Sequence, residues 1–257
     1  MSTDTRAPEG SLAADNTVDA REARFYRNLA DRWWDERGPF WPLHRLNELR
    51  AAYLGKRLSA LFDTKHPSSP LRGLDVVDIG CGGGILSESI AGLGAKVTGI
   101  DVVETNIHVA DLHANAQGLE IDYRLITASE LGSSGVDYDV VLNMEVVEHV
   151  ADLDAFLDDC CKLLRPGGVM AVATINRTWL AYLFAILGAE YVLGWLPKGT
   201  HRWRNFRTPR EIESRLSRHG LHLIEKRGVR VNPFTRVFSL TRAASVNYML
   251  LFIKNPT

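Results

Sequence analysis

Cysteine is scarce, with only Cys81, Cys160 and Cys161 in 257 residues. Two of the three adjoin on a stretch that reads as helix, and the number is odd. That pattern argues against a disulfide framework and for a reducing compartment. An excess of either charge is also missing: 30 Lys and Arg stand against 31 Asp and Glu, a formal net charge of -1. Neither a nucleic-acid partner nor an acidic tail is expected from that balance. No apolar run reaches the ~18 residues of a spanning helix. Trp179 to Leu196 comes nearest, and Glu190 interrupts it. No secretory signal is visible, because Met1 to Ala20 is polar and small and lacks an apolar centre; residues 1–20 read as a disordered tail. A G-K-[ST] phosphate loop, HExxH zinc spacing, a thiolate cluster and internal repeats are absent as well.

What is present is a 46% apolar chain able to bury one substantial core. Residues 21–73 read as a helical lead, with one helix over Arg21 to Trp34 and an amphipathic one over Trp41 to Phe62. Pro42 is tolerated in that second helix's first turn. A Pro- and Ser-containing connector, Lys65 to Gly73, then opens the main domain, 74–257. From Leu74 short β-branched runs alternate with helical stretches. Strands are expected at Leu74–Ile79, Lys96–Ile100, Ile121–Ile126, Tyr138–Leu142 and Val169–Ala173. Helices are expected at Ile85–Leu93, Glu104–Gln117 and Leu153–Leu164. Right-handed crossovers would build them into an α/β parallel sheet covered on both faces. Beyond it come a helix over Pro209–His219 with Thr208 as N-cap, and strands over Leu221–Arg230 and Val246–Phe252.

The densest signal is Asp78-Ile79-Gly80-Cys81-Gly82-Gly83-Gly84, followed by Gly99-Ile100-Asp101. Glycines where a strand turns into a helix permit positive φ and close approach of a ligand to the backbone. The dinucleotide fingerprint needs a third glycine where this chain has Ile85, so an NAD-type oxidoreductase fits poorly. Asp101 ends the second strand, in the crevice where an open α/β sheet binds ligands, and can accept from both hydroxyls of a ribose. Asp78 either organises the glycine loop or meets a ligand's ammonium group through water.

These residues resemble the class I S-adenosylmethionine-dependent methyltransferases. The resemblance implies a Rossmann-like seven-stranded sheet flanked by helices, with N-terminal helices and a helical insertion after strand five, at 176–207. It implies that S-adenosyl-L-methionine is held by Gly80, Gly82, Asp101 and Met144. Further segments are similar to the ubiquinone-biosynthesis O-methyltransferases, bacterial type, and their mitochondrial relatives. They are Trp33-Trp34-Asp35, Pro42 to Asn47, Glu145 to Val150, Gly188 to Leu193, Pro197-Lys198-Gly199-Thr200-His201, Asn232-Pro233-Phe234 and Asn247-Tyr248-Met249-Leu250. That family methylates a phenolic hydroxyl of a polyprenylated catechol-like ring in two pathway steps. By the same resemblance Arg45 would contact the cofactor carboxylate. C- or N-methylation of another lipophilic aromatic, or a non-catalytic scaffold in a quinone-synthesis complex, is the alternative.

A phenol, with a pKa near ~10, is a poor nucleophile until a base or a cation acts on it. Glu145, Glu148 and His149 follow the fourth strand, and on a helical turn their spacing would bring them together. They could share Mg²⁺, as the mitochondrial relatives are thought to do. Alternatively His149 is a metal-free general base, or the group only caps the next helix. Trp179, Leu180, Tyr182, Leu183, Phe184, Ile186 and Leu187, then Trp195 and Leu196, precede the cations Lys198, Arg202, Arg204, Arg207 and Arg210. Aromatics beside cations suit a water–lipid interface over 178–210; a dimer contact or lid is the other reading. The expected location is cytoplasmic, on the inner face of the cell membrane.

Overall fold

The structure is a computed structural model that describes residues 33–38, 40–178, 205–232 and 235–256. The expected tail at 1–20, most of the helix over Arg21 to Trp34 and the apolar segment with Lys198, Arg202 and Arg204 lie outside the described residues. Trp33 and Trp34 themselves stand in a turn. In chain order the elements are α1 (Trp41–Leu61), β1 (Asp75–Ile79), α2 (Ile85–Gly92), β2 (Lys96–Asp101), α3 (Glu104–Gln117) and β3 (Ile121–Leu125). Next come α4 (Ala128–Ser133), β4 (Tyr138–Met144), α5 (Leu153–Lys162) and β5 (Leu164–Ile175). The last are α6 (Pro209–Leu216), β6 (Leu221–Val231), β7 (Phe238–Thr241) and β8 (Asn247–Lys254).

The strands form one sheet in the order β3-β2-β1-β4-β5-β8-β6-β7. β1 to β5 run parallel, and β8 enters antiparallel between β5 and β6. Adjacent valines part to opposite faces, as the two-residue period of a strand requires. Val77 and Val141 join Phe156, Leu157 and Phe252 on one face. Val76 and Val140 join Leu54, Leu58 and Leu86 on the other. Both faces are therefore covered, and the parallel strands are almost wholly apolar. Full burial of each Val or Leu contributes ~1.5–3 kcal/mol.

Helix starts follow their caps. Asp152 accepts from the amides of Asp154 at 2.9 Å and Ala155 at 3.0 Å, opening α5. Thr208 caps α6 as expected and forms a reciprocal box with Glu211. An identical box, Thr127 with Glu130, starts α4, which the periodicity did not reveal. The sheet has eight strands, not seven. The additional one is β7, a short edge strand paired with β6.

Candidate active site

The carboxyl ends of β1, β2 and β4 lie side by side, and the functional candidates gather there. Gly80, Gly82 and Gly84 all have left-handed backbone, with φ of 68, 56 and 87°. A Cβ on Gly80 would stand 2.6 Å from Val146 Cγ2, and one on Gly82 would stand 2.8 Å from the Trp33 ring. Only glycine satisfies both the angle and the space.

Asp101 ties the loop to its own strand. Its Oδ2 accepts from the Gly82 amide at 2.9 Å and its Oδ1 from the Val103 amide at 2.8 Å. Burial raises its pKa, and these backbone donors oppose the rise. The Asn106 side chain and the Val102 amide also lie close enough to donate to the carboxylate. Asp78 is also buried and accepts from Ser87 Oγ of α2 at 2.6 Å, so it braces the loop through the helix rather than through backbone amides. Burial is the main cause that pushes it up to about 7.

Two tryptophans cover the loop. Trp33 donates to Asn106 Oδ1 at 3.0 Å and stacks on Phe40 with centroids 4.0 Å apart. Trp34 donates to the Gly83 carbonyl at 2.9 Å and stacks on His113 at 3.5 Å. His113 Nδ1 in turn lies 2.8 Å from Glu88 of α2.

The arginine expectation needs correction. Arg45 is 53% exposed and pairs with Glu48 at 2.8 Å. The buried arginine of α1 is Arg50, 1% exposed, whose Nη2 donates to Glu145 Oε1. Its Nε and Nη1 have no hydrogen-bond partner among the described residues. The signal was in the sequence. Leu46, Arg50, Leu54 and Leu58 form one buried stripe at four-residue spacing, and an arginine on such a stripe must find a partner inside.

Beyond Met144, Glu145 takes a left-handed conformation, φ 60°, while its amide donates to Ala173 O at 2.8 Å. Residues 145–149 therefore form a turn and not a helix, so the helical convergence expected of Glu145, Glu148 and His149 does not arise. Burial acts to raise the Glu145 carboxyl. The Arg50 charge and hydrogen bonds from Arg50 and Asn247 outweigh it and hold the group below the usual carboxylate range. Glu148 is 2% exposed. Burial, then the Glu145 charge, pushes it up to about 7. Neither Glu148 oxygen has a partner of ordinary hydrogen-bond geometry among the described residues, although the Thr174 hydroxyl lies close enough to act on its charge. Among the described residues, no three His, Cys, Asp or Glu side chains are disposed to share a metal ion. The trio as arranged does not fit Mg²⁺.

A left-handed glycine turn with bare backbone of its own, a buried carboxylate at the end of β2 and two unpartnered guanidinium donors do fit S-adenosylmethionine, which carries a ribose and an α-carboxylate. Residues 43–226 match the family model described as a methyltransferase domain. Magnesium protoporphyrin IX methyltransferase from Synechocystis PCC 6803, solved with bound SAH, shares the fold. Its TM-score is 0.61 at 17% identity, over 91% of this chain and all of that one. The plantazolicin methyltransferase solved in complex with SAH gives 0.56 at 20% identity, over 91% and 97%. The chain is a class I S-adenosylmethionine-dependent methyltransferase.

Its relatives narrow the class. The ubiquinone biosynthesis O-methyltransferase of Parvibaculum lavamentivorans is 50% identical over 95% of this chain and 97% of its own length. That of Brucella anthropi is 50% identical over 93% and 96%. The chain belongs to the family of the ubiquinone biosynthesis O-methyltransferases.

Proposed function

We propose that this enzyme methylates a phenolic hydroxyl of a polyprenylated catechol-type ring in both O-methylation steps of ubiquinone biosynthesis, releasing S-adenosylhomocysteine. The observation that carries the reading is the contact between cofactor loop and acidic turn. Val146, between Glu145 and Glu148, packs directly on Gly80. A hydroxyl held at the turn is thus adjacent to the cofactor cradle.

When bound, S-adenosylmethionine supplies an electrophilic methyl group on a sulfonium. The chain's residues do the rest. Gly80 and Gly82 admit the cofactor, Asp101 accepts from its ribose, and Met144 borders it. Asp78 braces the loop. Arg50 offers Nε and Nη1 to the α-carboxylate while Nη2 holds Glu145. Glu148 or His149 would take the proton of a hydroxyl that accepts the methyl group such a cofactor supplies. A carboxyl ionising near neutrality is suited to that task. Glu145 keeps the turn in place.

Methyl transfer to a short-prenyl catechol, measured with chelator and then with added Mg²⁺, tests this scheme. Glu145 is engaged by Arg50 and Asn247, so the chelator is expected to leave the rate unchanged. Loss restored by Mg²⁺ would return Glu145, Glu148 and His149 to the role of metal ligands. Cofactor binding without transfer to any catechol would favour the scaffold, and transfer to carbon or nitrogen the other alternative.

No helix among the described residues is long and apolar enough to cross a membrane. Residues 178–210 form the proposed peripheral contact with the cytoplasmic membrane face, where the prenylated ring resides, and a ubiquinone-biosynthesis complex is the partner there. The combined change Trp179→Ser, Arg202→Glu and Arg204→Glu is expected to abolish co-sedimentation with anionic liposomes. Unchanged sedimentation removes the membrane contact.

A further inference from the structure

The acidic turn crosses the end of the sheet. Glu145 stays on the α1 face, held by Arg50 and Asn247. Val146, Val147 and Val150 pack against the opposite face, with Val172, Tyr248 and Leu250. Glu148 is carried there with them, and Thr174 and Tyr248 both lie close to its carboxyl. Thr174 belongs to that face by register. It stands opposite Tyr248, as Val172 stands opposite Leu250, and alternate strand residues share a side.

Thr174 is 0% exposed and Glu148 2%. The Thr174 hydroxyl has no partner of ordinary geometry among the described residues, and neither has either Glu148 oxygen. Tyr248, the other hydroxyl at this place, is already engaged, donating to the Arg207 carbonyl at 2.9 Å. Buried polar groups are normally paired. An ionised carboxylate only accepts and a hydroxyl can donate, so the two unsatisfied groups are complementary. The hydroxyl's influence on Glu148 favours the ionised form.

We infer that Thr174 is a positioning residue for methyl transfer: its hydroxyl donates to one oxygen of Glu148 and leaves the other directed at the ring hydroxyl. This rests on the proposed reaction and deepens it. A flexible carboxylate becomes a base of fixed direction, and the bond is strongest in the form that can take a proton. The anchor is rigid, because β5 also receives the Glu145 amide one residue earlier, at Ala173 O. Glu145 and His149 of the turn act on the Glu148 charge as well, the first against ionisation and the second for it. Tyr248 of β8 feels that charge, together with those of Glu211 and Arg207. All five groups are retained in the Thr174 variants.

The test is the pH dependence of kcat on a short-prenyl catechol for the wild type, Thr174→Val and Thr174→Ser. Valine keeps the shape and removes the hydroxyl; serine keeps the hydroxyl and removes the methyl group. Thr174→Val is expected to lower kcat near pH ~7 by about 10-fold and to move the acidic limb up by about one pH unit, the scale of one charge-assisted hydrogen bond. Its affinity for S-adenosylhomocysteine should be that of the wild type, and Thr174→Ser should recover most of the rate and the original limb. If Thr174→Val fails to bind S-adenosylhomocysteine, Thr174→Ala takes its place beside serine. A serine variant as impaired as valine, or a limb that valine leaves in place, overturns the assignment, since a residue that only packs would behave so. Glu148→Gln separates the two claims. A limb lost there but unmoved in Thr174→Val overturns this assignment alone; a limb that persists in Glu148→Gln overturns the proposed base and the assignment with it. A second readout needs no turnover: the carbon-13 carboxyl resonance of Glu148, identified by its loss in Glu148→Gln. Its titration midpoint should rise in Thr174→Val, and an unmoved midpoint overturns the hydrogen bond whether or not the catechol is methylated.

Discussion

Replacing Glu145 by glutamine would leave Arg50 charged, 1% exposed and without its salt-bridge partner among the described residues. Removing one member of a buried pair typically costs ~3–5 kcal/mol, because the remaining charge has lost both water and partner. Glutamine keeps an acceptor for Nη2, which places the expected loss near the lower figure, ~3 kcal/mol. For a chain of this length ~3 kcal/mol corresponds to a fall of roughly 6–12 °C in melting temperature. Arg50→Met is expected to be milder, since the Glu145 side chain is 22% exposed and keeps the Asn247 amide. The double variant should be more stable than the two losses summed, with a coupling of about 2 kcal/mol, because neither orphaned charge remains. Urea unfolding of the four proteins supplies the cycle. A coupling under about 0.5 kcal/mol would refute the claim that this pair is an energetic unit. Calorimetry on the same proteins should show Arg50→Met losing most of its affinity for S-adenosylhomocysteine while Glu145→Gln keeps it.

The remaining predictions concern protons and glycines. Asp78 and Glu148 are both pushed up to about 7 by burial, so between pH ~4 and 7 the folded chain binds more protons than the unfolded one. Stability of the cofactor-free protein should therefore fall as pH rises through that window, and Asp78→Asn should flatten the profile; a melting temperature that rises from pH 5.5 to 8 in the wild type would contradict it. Methyl transfer should rise through pH about 7 as Glu148 loses its proton, and Glu148→Gln should lower kcat by ~10²–10⁴ with little effect on cofactor affinity. Gly80→Ala forces a Cβ to within 2.6 Å of Val146 at a φ of 68°, so cofactor affinity should drop at least tenfold even where the protein folds; unaltered binding would show that the loop has room to spare.

Much of the fold was legible because its signals are local. The apolar runs of β1, β2 and β4, the glycine turn and the Thr208 cap are each contained in a few neighbouring residues. The acidic turn was not. Its left-handed residue is a glutamate, not glycine or asparagine, and it is held by Arg50, 95 positions away, and Asn247, 102 positions away. Spacing within 145–149 carries no trace of those contacts, and so it suggested a helix. The exchange of Arg45 for Arg50 is different. Both arginines sit on α1, but Arg50 alone lies on the four-residue stripe of Leu46, Leu54 and Leu58 that turns inward, and that spacing was legible. The tryptophan cover is set by Asn106, 73 positions from Trp33. β7 escaped notice because its four residues are only partly buried and show no alternation.

The insertion of β8 between β5 and β6 bears on how the molecule is made. β6 and β7 leave the ribosome before the strand that links them to the parallel half, and until then they are an isolated ribbon, marginal in water. Asn247 arrives with that late strand, so the hold on Glu145 closes only when this distant pairing has formed, which is a slow kind of contact for a chain to find. Nascent chains stalled before Asn247 should bury their glycine loop and still lack a finished acidic turn.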